Sequence, residues 1–218
     1  SLLVSIDDKN VVIDTGPDFR QQMLVNKVSM VDAVLFTHAH KDHIAGMDDI
    51  RAFNYVSKKP MEIYATLDVQ EALKREFYYV FLDKLYPGVP KVKLNDIDTE
   101  PLNILGEQII PIDVMHYQLP VKAFRIKGLT YITDANYIAE SEIEKIKGSE
   151  VLIVNALRKE KHVSHFTLNE ALELIERINP KKAYLTHISH LMGDHEEVSK
   201  ELPANVEIAY DGMQIDFE

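Results

Sequence analysis

The sequence predicts an α/β protein, and three observations carry that expectation. Short apolar runs alternate with amphipathic stretches along the whole chain. Helix starts of the hydroxyl-x-x-Glu type stand between several of those runs. The polar residues of most chemical interest fall just past the predicted strand ends, where loops build sites on a rigid scaffold.

Taken in order, Leu2-Leu-Val-Ser-Ile6 and residues 11–14 read as two strands of a hairpin around Asp7-Asp-Lys-Asn10. Residues 33–37 form a short buried strand that delivers a histidine cluster at its C-terminal end. Further strands are predicted at 62–65, 108–114, 122–126, 130–133, 151–154, 182–186 and 206–209. Thr167-Leu-Asn-Glu170 and Ser141-Glu-Ile-Glu144 fit a capping box, and Asp68-Val-Gln-Glu71 is a near variant. The helix from Thr167 carries Leu168, Ala171, Leu172, Ile175 and Ile178 along one stripe, so it packs on a sheet and stops before Pro180. With no repeat, linker or low-complexity tract, residues 1–218 are expected to form one domain. The abrupt opening on an apolar strand suggests that residues precede Ser1.

Composition narrows the function classes. A net charge of −11 disfavours a nucleic-acid polymer held on a basic surface. No apolar run is long enough to span a bilayer, and no export signal opens the chain, so a cytoplasmic location is expected. Cysteine is absent, which removes disulfides and thiolate ligands from this chain. Metal-binding pockets become locally positive once filled, so an acidic protein can still hold an anionic substrate.

His38, His40, Asp42 and His43 lie within six residues. On a regular strand the first three would share a face and His43 would point away, whereas a loop leaving a strand can aim all four inward. In a chain with nine histidines, such a run arises by chance about once in a thousand chains. Imidazole and carboxylate ligands without thiolate suit Zn, Mn or Fe.

Thr37-His-Ala-His-Lys-Asp-His43 resembles the HxHxDH signature of the metallo-β-lactamase superfamily. That resemblance implies a four-layer αββα sandwich with two divalent metal ions, Zn or Mn before Fe. It also implies later ligands, and His116, Asp134 and His187 stand in the right order. By this pattern His38, His40 and His116 hold one metal, Asp42, His43 and His187 hold the other, and Asp134 bridges them. His40 replaces the carboxylate found in redox di-iron relatives, which argues against oxygen chemistry.

The flanking segments Ile13-Asp-Thr-Gly-Pro-Asp-Phe-Arg-Gln-Gln22, Met47-Asp-Asp-Ile-Arg-Ala-Phe-Asn54, Leu185-Thr-His-Ile-Ser-His190 and Ala209-Tyr-Asp-Gly-Met213 resemble the PhnP-like subgroup. The expected reaction is therefore cleavage of a small, cyclic or nucleotide-like phosphodiester by a metal-bridged hydroxide. The subgroup's N-terminal strand and Cys-rich zinc loop do not lie within these residues, so the carry-over stops at the catalytic set.

His165 matches the non-ligand catalytic histidine of that subgroup and is the candidate proton donor, with Asp42 beside it in the catalytic set. His162 is its rival, and a solvated loop histidine is the plainer alternative for either. His190 is a candidate phosphate contact or a surface residue. Asp14 either orients a ligand histidine through its second ring N–H or shapes a turn before Thr15-Gly16. Arg51 reads as a solvated helix residue. In Phe77-Tyr-Tyr-Val-Phe81, part is expected in the core and the rest over the site or at a homodimer interface. Two other readings stand beside the phosphodiesterase: a thiolester hydrolase on the same scaffold, and a metal-holding protein without turnover.

Overall fold

The computed structural model describes residues 1–84 and 86–217. By internal contacts the chain divides into two compact units, Ser1–Asp98 and Thr99–Glu218.

The first unit holds β1 (Leu2–Ile6), β2 (Lys9–Ile13), α1 (Phe19–Val25), β3 (Ala33–Leu35), α2 (Lys41–Ile44), α3 (Arg51–Ser57), β4 (Met61–Ala65), α4 (Leu67–Glu76) and β5 (Val92–Asp96). Short 3-10 turns at Met47–Ile50 and Tyr78–Val80 complete it. Its sheet runs in the order β1-β2-β3-β4-β5, antiparallel at β1/β2 and parallel from β2 onward. Parallel neighbours need crossovers, and the helices supply them. Phe19 and Met23 of α1, Ile44 of α2, Phe53 of α3 and Val69 and Leu73 of α4 form one core with Val12, Val34, Phe36 and Ile63. The C-terminal ends of β2 and β3 thus share one edge of the sheet, and Asp14 and the histidine cluster follow them.

The second unit holds β6 (Leu102–Ile104), β7 (Glu107–His116), β8 (Leu119–Ile126), β9 (Leu129–Ile132), β10 (Tyr137–Ile138), α5 (Glu140–Ile146), β11 (Val151–Asn155), α6 (Leu168–Ile178), β12 (Lys182–Thr186), α7 (His195–Ser199) and β13 (Val206–Ile208). Its eight-stranded sheet is ordered β10-β7-β8-β9-β11-β12-β13, with β6 added on β7. β7/β8 and β8/β9 are antiparallel, while β9/β11 and β11/β12 are parallel. It follows that β7, β9, β11 and β12 all end on one edge. His116, Asp134 and His187 sit at or just beyond three of those four ends.

Several sequence expectations shift by a residue or two. The hairpin turn is two residues, since Ile6 pairs with Lys9 and Asp7 takes φ 51°. β7 and β8 are longer than expected and meet at a tight turn after His116. β5, β6 and β10 were not anticipated, because they are short and owe their form to a neighbouring strand.

The capping box expected at Ser141 does not form. α5 starts two residues earlier, with Ala139 as its uncapped N-cap, so Ser141 lies inside the first turn. Asp68 likewise lies within the first turn of α4, where its charge complements the helix dipole. The box at Thr167 is complete. Thr167 Oγ1 accepts from Glu170 N at 3.2 Å, and Thr167 N donates to Glu170 Oε2 at 2.8 Å. Leu168, Ala171, Ile175 and Ile178 are buried as expected, Leu174 joins them, and Leu172 is only half-buried. Thr167→Ala is expected to cost about 1 kcal/mol and lower Tm by roughly 2–4 °C. Thermal melts of the two proteins check this.

Phe77 and Val80 are core residues, while Tyr78 is exposed. Tyr79 donates to Asp48 Oδ1 at 2.5 Å, and burial first, then that carboxylate, pushes its hydroxyl up to about 12. Arg51 is exposed, 3.9 Å from Asp48, as a solvated helix residue should be.

Candidate functional site

In the first unit, the chain leaves β3 through Phe36 and Thr37 and then passes His38 and His40 in extended form. His40 is the N-cap of α2, so Asp42 and His43 stand on a single helical turn. The expectation of one continuous loop is corrected here. Extended chain places His38 and His40, and a turn of helix places Asp42 and His43.

Thr37 and Asp14 build the support beneath. Asp14 ends β2 in the left-handed region, φ 60°, and is almost fully buried. Its carboxylate accepts from Thr37 N and Thr37 Oγ1, both at 2.8 Å, and pairs with His43 Nδ1 at 2.7 Å. An acceptor on Nδ1 fixes the proton there and turns Nε2 of His43 toward Asp42 Oδ2, 3.5 Å away. Thr37 Oγ1, donating to Asp14, is left to accept from His38 Nδ1 at 3.0 Å, which fixes that ring too. Asp14 therefore orients the His43 ring, and it shapes the turn as well.

Two glycines let this loop approach α2. A Cβ on Gly16 would lie 2.7 Å from the carbonyl oxygen of Asp42. A Cβ on Gly46 would lie 2.5 Å from the Gly16 oxygen and 2.7 Å from Phe19 Cβ. Thr15 N donates to His43 O and Gly46 N donates to Thr15 O, both at 2.8 Å. The ligand-bearing turn is thus stitched to the Asp14 loop on both sides.

In the second unit, Asp134 and His187 also take the left-handed region, φ 55° and 56°, directly after their strands. Three site residues thus turn sharply at strand ends, a local strain that recurs where side chains must be aimed. His116 donates from Nδ1 to Ser164 O at 2.9 Å, which orients its ring. His187 Nδ1 lies 3.1 Å from Asp134 Oδ1. His165 is buried, its ring 4.5 Å from that of His116 and 4.9 Å from that of His187. His162 is half-buried with its ring 5.1 Å from His165. His190 lies apart, exposed in the turn after β12.

Burial is the main force on His165, holding its imidazole down to about 4, so the ring is neutral at pH 7. Its Nδ1 is buried without a partner among the described residues. An orphaned lone pair is cheaper than an orphaned N–H, so the proton belongs on Nε2. His162 is lowered as well, by burial first and then by Arg158.

The donor sets in each unit fit cations. His38 Nε2 and His40 Nδ1 face each other at 3.0 Å, and Asp42 Oδ2 lies 3.5 Å from His43 Nε2. His116 and Asp134, and Asp134 and His187, likewise offer ligand atoms within 4.8 Å. Two ligand atoms about 2.1 Å from a tetrahedral ion lie roughly 3.4 Å apart, which is the spacing seen. Neutral imidazole and carboxylate donors with fixed tautomers are what such an ion requires. No described helix is long and apolar enough to cross a membrane.

Comparison with known proteins agrees with the geometry. The sequence profile of the beta-lactamase superfamily domain matches residues 9–188. A crystal structure described as a new diphosphatase from the PhnP family superposes with a TM-score of 0.92 at 33% identity, covering 99% of this chain and 83% of that one. An octanoyltransferase of Porphyromonas gingivalis is 35% identical over 98% of this chain, a match that takes in 44% of that protein. Ribonuclease Z of Clostridium acetobutylicum is 25% identical over 76% of this chain and 54% of its own length. The chain thus spans about half the length of these two curated relatives. With its signature residues on a metallo-β-lactamase fold, the chain belongs to the beta-lactamase superfamily, in the PhnP-like branch.

Proposed function

We propose that the chain is a metal-dependent hydrolase that cleaves a small phosphodiester, with both units serving one catalytic domain. The observation that carries this reading is the close approach of candidate ligand atoms, 3.0 Å for His38 Nε2 and His40 Nδ1 and 3.1 Å for His187 Nδ1 and Asp134 Oδ1, with the rings of His43, His38 and His116 oriented by Asp14, Thr37 and Ser164. In this reading His38, His40, Asp42 and His43 of the first unit and His116, Asp134 and His187 of the second would hold two divalent ions. The bound ions would supply Lewis acidity and a water acidified toward neutrality.

The chain's own residues do the rest. His165 presents its Nε2–H to a phosphoryl or leaving oxygen, and the negative charge of a bound phosphodiester raises its affinity for a second proton. His165 can then give its Nε2 proton to the leaving oxygen while it keeps on Nδ1 the proton taken from solvent, which returns the ring to neutral. His162 shares the rim, and its lowered proton affinity suits it to accepting or relaying hydrogen bonds rather than holding charge. His165→Ala is expected to retain both ions while kcat falls about 10²–10⁴-fold. Metal analysis beside steady-state kinetics checks this, and loss of metal or unchanged turnover overturns the role.

The phosphodiester reading draws on the PhnP-family diphosphatase likeness. A second reading has one observation in its favour: the relative at 35% identity is named for transfer of an octanoyl group, which is an acyl chain. An acyl thiolester or ester is therefore the competing substrate class. Assay of the Zn- and Mn-loaded protein against cyclic and linear phosphodiesters and acyl thiolesters separates the two. Higher kcat/KM on phosphodiesters is expected. Preference for the thiolester replaces the first reading with the second, and no turnover despite two bound ions removes both.

A further inference from the structure

Asn155 is the last residue of β11 and is completely buried. β11 and β9 pair in parallel as far as Val154 and Ile132. Beyond that rung the chain after β9 turns away through Asp134, and no backbone ladder can follow it. The Asn155 side chain takes over. Its Oδ1 accepts from Ala135 N at 2.8 Å, and its Nδ2 donates to Ala135 O at 2.9 Å. The amide stands in for one more peptide group of the ladder and clamps both backbone polar atoms of the residue after Asp134.

The same residue reaches the other way through its backbone. Asn155 pairs with Thr186, the residue before His187, and Ala156 N donates to Thr186 O at 2.9 Å. Ala135 O also accepts from Phe166 N at 2.7 Å, next to His165. One buried residue therefore ties the segment bearing Asp134, through its side chain, to the segment bearing His187, through its backbone, and Ala135 joins the segment bearing His165 to both.

We propose that Asn155 is a positioning residue, which sets the Asp134–His187 separation and through it the affinity for divalent metal. The inference rests on the reading that Asp134 and His187 are metal ligands. Asparagine suits the position because it offers one acceptor and one donor at this reach. Aspartate has no donor and would face the Ala135 carbonyl with a charge, serine cannot span to both atoms, and glutamine is one methylene too long.

The test is a Co²⁺ titration by calorimetry and visible absorption, far below Tm, on the wild type, Asn155→Asp and Asn155→Ser. Both variants are expected to bind Co²⁺ about 10–100-fold more weakly, with an altered ligand-field spectrum. Ser149→Ala serves as control. It removes a buried hydroxyl bonded to Thr130 at 2.7 Å and to Ile146 O, among residues that supply no proposed ligand, and should leave Co²⁺ binding unchanged. Wild-type affinity and spectrum in either folded variant overturn the inference, as does an equal loss in the control. Failure of both variants to fold also overturns it, because the residue would then serve folding alone. If the wild type itself binds no Co²⁺, the metal reading fails first, and that outcome is distinct.

Discussion

Asp14→Ala should cost the protein about 3–5 kcal/mol and weaken metal binding about 10–100-fold, although Asp14 is not itself a proposed ligand. The carboxylate accepts from Thr37 N, it holds Thr37 Oγ1, and it pairs with His43 Nδ1. Each buried donor left without a partner costs roughly 1–3 kcal/mol. Alanine also tolerates the left-handed backbone at φ 60° less well than aspartate. Asp14→Asn keeps the backbone preference and one acceptor, so it should fall between wild type and alanine. Denaturant unfolding of the metal-free proteins gives the first effect, and metal titration of the folded variants gives the second. Wild-type metal affinity in a folded Asp14→Ala protein would show that His43 orients without it.

Gly46→Ala should be as damaging through a different cause. Gly46 has an ordinary negative φ of −85°, so the requirement is space and not backbone freedom. The added methyl would meet the Gly16 oxygen at 2.5 Å, Phe19 Cβ at 2.7 Å and the Thr15 oxygen at 3.2 Å. Two of those three are backbone atoms, which cannot swing aside as a side chain can. Overpacking of this kind costs about 1–3 kcal/mol and occasionally more, and this geometry places it at the upper end. If the loop yields instead, the hydrogen bonds Thr15 N–His43 O and Gly46 N–Thr15 O lengthen and the α2 turn carrying Asp42 and His43 shifts. Loss of soluble protein, or a folded protein with weakened metal binding, is the expected result. Wild-type Tm and metal affinity together would refute the close-packing argument.

Much of the candidate site was legible in the residues from His38 to His43. Imidazole and carboxylate groups at that density have few uses besides metal binding, and their chemistry does not depend on the fold. The strands were legible for a related reason. Runs such as Val151-Leu-Ile-Val154 lie buried in the middle of a sheet and must be apolar throughout. β10, only two residues long, carries no such signature and exists because Met115 and Val114 offer it a partner. The capping boxes show the same limit. Thr167 and Ser141 carry the same local pattern, yet only Thr167 caps, because α5 begins ahead of Ser141.

His165 and Asp14 mark where the sequence stops being sufficient. Both residues are buried, and their neighbours come from far along the chain. Asp14 meets Thr37 and His43 across 23 and 29 residues, and His165 meets His116 across 49 positions of sequence. Asn155 drew no attention at all, since an asparagine at a strand end is unremarkable until Ala135 is seen to bond it twice.

The sequence by itself determined the ligand chemistry, the superfamily and most of the strands, because residue type and spacing carry those directly. Only the tertiary structure decided how the rings of His38, His43 and His116 are turned, which polar residues orient them, and which side chains replace a missing rung of sheet. Those depend on what lies within about 3 Å of an atom, and neighbours at that range come from segments that local patterns do not connect.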